Sequence, residues 1–183
     1  MRIPTLFPMI FALGAVAELE FTDFPHLIIP LNSSAPDTHY GTQNSGIISN
    51  SVFTEISFDV RPDIPANICR LNFHLNLNPS KNAPWSIEGA PFTFIISRIK
   101  SEIDKDKDTW NKYPPVMHYL ANVTVDKDGN VTVEDGWFQC PKGGVAQFLL
   151  WPSSDADVEL TWFELDYGWE IGGPHGVTLE MHS

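Results

Sequence analysis

A chain of 183 residues with 43% hydrophobic and 12% aromatic side chains is about one domain long and can fill a core. Its 23 acidic against 11 basic residues, a net charge of −12, argue against nucleic acid and anionic membrane as partners, because both need a positive face. It has no run of about 20 apolar residues to span a membrane.

Residues 1–17 read as a secretory signal peptide. Arg2 supplies the positive start, Ile3 to Ala17 is apolar and uncharged, and Ala15-Val16-Ala17 fits the small-x-small cleavage rule. Residues 18–183 then form a single secreted domain. Loss of Arg2 leaves 10 basic against 23 acidic residues, a charge of −13.

The mature part opens on an apolar strand, His26 to Leu31, and a turn-rich stretch from Asn32 to Asn50 that reads as loop. Ser51 to Val60 alternates, with Thr54 as the polar exception, and Arg61-Pro62 ends it. Ile68 to Leu77 is the clearest strand. Cys69, Leu71, Phe73, Leu75 and Leu77 point to one face, and Arg70, Asn72, His74 and Asn76 to the other, as in an antiparallel sheet with one wet face.

Pro79 to Gly89 reads as a loop carrying Trp85, and Phe92 to Ile99 as a strand. Lys100 to Asn111, rich in alternating Asp and Lys, reads as a solvated loop or short helical turn. Met117 to Val125 and Val131 to Val133 flank Asp128-Gly129, the strongest hairpin signal in the chain. A calcium loop over Asp126, Asp128 and Asn130 lacks the required Gly and closing Glu. Strands over Val145 to Trp151, Val158 to Tyr167 and Val177 to Met181 complete the chain. The expectation is an all-β fold of about eight or nine short strands in a two-sheet antiparallel sandwich, Greek-key or jelly-roll-like.

In an exported chain the two cysteines, Cys69 and Cys140, pair, closing a loop of about 70 residues worth roughly 4 kcal/mol. Asn32, Asn122 and Asn130 head N-x-S/T sequons and are the expected glycosylation sites.

Several stretches also carry a resemblance: Phe24-Pro25-His26-Leu27-Ile28-Ile29-Pro30-Leu31-Asn32 through Tyr40-Gly41-Thr42, then Phe58-Asp59-Val60, Cys69-Arg70-Leu71-Asn72-Phe73 and Phe138-Gln139-Cys140-Pro141. Together they resemble the fungal "But-two" C-terminal domain family, the C-terminal domain of a ubiquitin-like activating-enzyme-binding protein. The resemblance implies a secreted or cell-surface fungal protein of β-sandwich type and brings no catalytic residues. The intracellular partner in the family's name is not carried over, since it sits poorly with a leader and a disulfide. Many members carry a further cysteine pair near the C-terminus, where this chain has Gly172-Gly173-Pro174-His175-Gly176.

Six tryptophans are many for this length. Trp85 and Trp110 lie in expected loops and Trp169 in a Gly-rich turn, so these three are the candidates for stacking on sugar rings. Trp137, Trp151 and Trp162 lie in strands and are assigned to the core. No nucleophile elbow, H-E-x-x-H or close His pair is present, and Asp37-Thr38-His39 is the one acid–His neighbour of note. No catalytic residue, metal or cofactor is assigned. The expected function is a non-catalytic secreted cell-surface or cell-wall protein, with polysaccharide or another extracellular protein as partner. The alternatives are a small secreted hydrolase acting on polysaccharide and an effector binding a host protein. A planar patch with two exposed aromatics would favour binding. A cleft holding a carboxylate of raised pKa would favour hydrolysis.

Overall fold

The alternation of Ile68–His74 sets the frame, and a computed structural model describing residues 17–183 shows how. Thirteen strands form, more than the eight or nine expected. They are β1 (Leu19–Asp23), β2 (Leu27–Asn32), β3 (Ser45–Ser49), β4 (Val52–Asp59), β5 (Ile68–His74), β6 (Trp85–Glu88) and β7 (Phe92–Ile99), followed by β8 (Val116–Val125), β9 (Val131–Asp135), β10 (Trp137–Gln139), β11 (Val145–Pro152), β12 (Glu159–Phe163) and β13 (Gly176–His182). One 3-10 turn, Trp169–Ile171, precedes β13.

The fold is all-β and antiparallel, but it has three sheets where two were expected. A four-stranded sheet runs β1-β13-β5-β10, a six-stranded sheet β2-β4-β11-β7-β8-β9, and a three-stranded sheet β3-β12-β6. The third sheet comes from two short strands inside stretches that read as loops. β3 and β6 have too few residues to show a period, and both hold their place by pairing with β12 between them.

The odd residues of β5 face a core shared by all three sheets. Phe73 meets Phe94 of β7 at 5.4 Å and Trp162 of β12 at 5.3 Å, both nearly perpendicular. Trp162 lies flat over Gly46 of β3, where an added Cβ would sit 1.9 Å from the indole. Thr54, the polar exception in β4, is fully buried and satisfied by the backbone N–H and C=O of Ile47.

The six-stranded sheet also packs on its second face, across β2, β4, β11 and β7. Its second face carries Leu31, Phe53, Ile99, Leu149 and Trp151, and residues 100–115 fold over it, setting Ile103, Trp110 and Tyr113 into a second small core. This segment is therefore not the fully solvated loop expected. Most of its charged residues face out, Asp108 is buried, and its three large apolar ones anchor it.

Cys69 and Cys140 form a disulfide, as expected, with Cα atoms 5.0 Å apart. Cys140 directly follows β10, so the bond ties β5 to its neighbour in the same sheet rather than crossing the sandwich.

Two stability changes follow. Gly46→Ala should cost about 1–3 kcal/mol in urea unfolding, because the methyl drives into the Trp162 ring. Replacing both cysteines by alanine should cost about 2–5 kcal/mol, given the 71-residue separation.

Candidate functional site

The even residues of β5 build the other face of the four-stranded sheet. Register places Trp137 beside Arg70, Arg70 beside Glu180, and Glu180 beside Thr22, so these four side chains form a row across the outer surface. Asn72 and His74 continue along β5 next to Thr178 and Gly176.

Glu180 lies at the centre and is nearly closed off from solvent. Asn72 Nδ2 donates to Glu180 Oε1 at 2.8 Å. His182 Nε2 stands 3.4 Å from Oε2, His74 Nε2 3.6 Å from Oε1, and Arg70 Nη1 4.0 Å from Oε2. Burial opposes ionisation of this carboxyl, but His74, Asn72 and the Arg70 charge outweigh it and hold the pKa down to about 2. Arg70 Nε, Thr178 Oγ1 and both ring nitrogens of His182 are buried without a hydrogen-bond partner among the described residues.

Two indoles cap this polar centre. Trp137 is 47% exposed, with the Arg70 guanidinium 5.2 Å from its ring centre and the His182 ring at 4.9 Å. Trp169 is 58% exposed and stands edge-on to His74 at 5.1 Å. Arg70 and His74 are four residues apart on β5, roughly 13 Å along the strand, and each meets one of the two indoles.

The Trp169 turn is firmly held. Asn76 Nδ2 donates to the carbonyls of Gly173 and Ile171, and Asn78 Nδ2 also donates to Ile171. The buried His175 accepts from the Asn76 N–H at Nδ1 and donates to the Pro84 carbonyl from Nε2. Gly172 and Gly173 sit at φ +107 and +82, and a Cβ on Gly173 would meet the Trp169 ring at 2.8 Å. The glycine pair in the tail is thus what lets the indole lie across its own turn.

Of the residues singled out from the sequence, Trp169 alone is an exposed stacking candidate. Trp85 lies in β6, half-buried against the main core, and Trp110 packs on Phe53 at 4.6 Å in the second core. Trp137, assigned to the core, is instead on the surface. Its signal was present: Cys140 is buried, so Phe138 points inward and Trp137 must point out.

A scan against protein families matches residues 23–167 to the Ubiquitin 3 binding protein But2 C-terminal domain. The chain belongs to the But2 C-terminal domain family. No curated protein matches it. The matched stretch of the But2 domain contains Arg70, Asn72, His74 and Trp137, while Trp169, Glu180 and His182 lie beyond its end.

Two carboxyls of the But2 domain have a pKa raised to about 8 by burial, Glu55 and Glu164. Glu55 is fully buried in β4 with neither oxygen bonded, and the nearby charge of Asp108, on the 100–115 segment, raises it further. Glu164 Oε2 accepts from Trp162 Nε1 and the Val177 N–H, and its Oε1 is buried. Glu55 is turned into the protein, whereas Glu164, held in this way, lines a depression of about 300 Å3 together with Asp166. Asp37 pairs with Asn111 Nδ2 at 2.9 Å. Asp126 caps the backbone of Asp128 and Asn130, so it closes the hairpin turn. Among the described residues, no group of three His, Cys, Asp or Glu side chains gathers to hold a metal, and no helix is long and apolar enough to cross a membrane.

The sequons fall in different settings. Asn32 and Asn122 are half-buried at the end of β2 and within β8, and Asn130 is exposed on the β8–β9 turn, bonded to Asp126.

These carboxyls fix a stability profile. Glu180, lowered, contributes stability that grows from about pH 2 to its unfolded value near 4.5. Glu55 and Glu164, raised, make the folded state retain protons the unfolded chain has released, so stability falls from pH 4.5 to about 8. Thermal melts across pH 3–9 should peak near ~4.5, with a limiting alkaline slope of about 1.4 kcal/mol per pH unit for each raised group. Glu55→Gln should flatten that limb.

Proposed function

We propose that this But2 domain is an extracellular, non-catalytic binding module of the fungal cell surface that takes cell-wall polysaccharide on the outer face of its four-stranded sheet. The observation that carries this reading is the pair of exposed indoles, Trp137 and Trp169, at either end of a row of hydrogen-bonding side chains. Aromatic faces suit the CH faces of pyranose rings, and fixed polar groups between them suit hydroxyls. The Cys69–Cys140 disulfide supports an oxidising compartment. The leader-like segment and the three sequons support export and glycosylation, although residues 1–16 lie outside the described part. Glu55 is turned inward, and Glu164, although it lines a depression, has one oxygen buried and the other held by Trp162 and Val177, which favours binding over hydrolysis.

A protein partner is the second reading, supported by the family's description as part of a ubiquitin 3 binding protein. A groove of about 440 Å3 offers it a place, where β5 runs on past its pairing with β10 and faces the β8–β9 hairpin. An extended segment could dock there on Asn72, Leu77 and Val133.

Pull-down on insoluble chitin, glucan and mannan distinguishes the two. On the first reading Trp137→Ala and Trp169→Ala each weaken retention about tenfold or more while leaving the fold intact. Trp85→Ala and Trp110→Ala instead lower stability. Retention unchanged by loss of both exposed indoles, together with ubiquitin binding abolished by Val133→Arg, would favour the protein partner.

A further inference from the structure

Beside the outer face, the edge strand β1 and the 166–174 loop enclose a separate depression of about 370 Å3. Its walls include four aromatic rings, Phe21, Phe24, Tyr167 and Trp169, and two carboxylates, Asp23 and Asp166. Among the described residues no basic side chain lines it. Aromatic faces carry negative potential, and a carboxylate beside them adds a full negative charge, so such a lining selects an organic cation.

The chain's own cations already respond to these rings. Arg61 lies 4.9 Å over Phe21 and Lys81 5.4 Å over Tyr167, each outside the depression. Asp23 Oδ1 is engaged by the Phe24 N–H, whereas Asp166 is exposed and free to act as counter-ion. Trp169 belongs to both sites, since it meets His74 on the outer face and also lines the depression. A sugar stacked on that indole therefore has an anionic, ring-lined recess beside it.

We infer that the ligand is an amino-sugar polymer with free, protonated amines, one of which enters the recess between Trp169 and Asp166. This rests on the polysaccharide-binding reading and narrows it. A neutral glucan or a fully N-acetylated chain has no charge to place there, and desolvating Asp166 without a partner would count against it. The net charge of −12 favours the same ligand at long range.

Calorimetric titration of the full chain with three hexamers tests this at about pH 5, where an amine is charged and an ordinary aspartate ionised. The probes are glucosamine, N-acetylglucosamine and β-glucan hexamers. The glucosamine hexamer should bind at least about tenfold more tightly than the other two. Asp166→Asn should erase that preference and leave the weaker neutral binding unchanged. Trp169→Ala should weaken all three. Equal binding of all three hexamers, unaffected by Asp166→Asn, would overturn the cation inference and leave polysaccharide binding standing. No binding of any hexamer would overturn both, and an Asp166-dependent lysine hexapeptide would then identify a basic protein segment as the occupant. An equal loss from Asp106→Asn, on the 100–115 segment, would reduce the preference to bulk charge and overturn the site. Asp166 is exposed, so its variant should keep the parent circular dichroism spectrum.

Discussion

Phe73 meets Phe94 and Trp162 edge-on, and through those two contacts one side chain joins all three sheets. Each such pair adds about 0.5–1.5 kcal/mol beyond burial. The geometry matters more than the energy. The ring of Phe73 fixes where β5 lies relative to β7 and β12, and β5 is the strand from which everything on the outer surface is measured. Gly46 belongs to the same arrangement, because the Trp162 indole can reach Phe73 only if β3 leaves room behind it.

A strand's period of two then does the rest. The residues between the core-facing ones must point outward, so the order Cys69-Arg70-Leu71-Asn72-Phe73-His74 builds the core and the polar row together. β13 repeats the pattern with Val177, Leu179 and Met181 inward and Thr178, Glu180 and His182 outward. Glu180 is buried on a face that would ordinarily be wet, and the tail loop with its two glycines carries an indole over that face. Against the cost of burial, the low pKa of Glu180 comes from His74, Asn72 and Arg70 on β5, and the exposure of Trp169 comes from the tail loop.

Much of this was legible from residue order. The strand over Ile68 to Leu77, the strand over Phe92 to Ile99, the hairpin around Asp128-Gly129 and the pairing of the cysteines all appear, with ends shifted by a few residues. The strands and the hairpin have a local cause, alternation or turn chemistry, and the cysteine pair follows from there being two cysteines to join. The third sheet was not legible, because Ser45–Ser49 and Trp85–Glu88 are strands only by virtue of β12 between them. Loop or strand membership does not decide which way a tryptophan faces. Trp110 sits in a polar stretch yet is drawn down by Phe53, while Trp137 sits in a strand yet faces out. Glu180 could be assigned to the outer face by parity, but nothing short of the folded chain shows that it is covered.

The 100–115 segment has a consequence for how the molecule comes apart. Most of its hydrogen bonds are internal, such as Lys107 and Asp108 N–H to Asp104 and the Thr109–Lys112 bridge. A few others reach out, to Gln147, Pro36 and Asp37. Its apolar anchors rest on the far side of the six-stranded sheet from the main core. This cover can lift off without breaking the ladders beneath it, giving the domain two tiers of opening rather than one. A protease that cut it there would nick the lid and leave the sheets assembled.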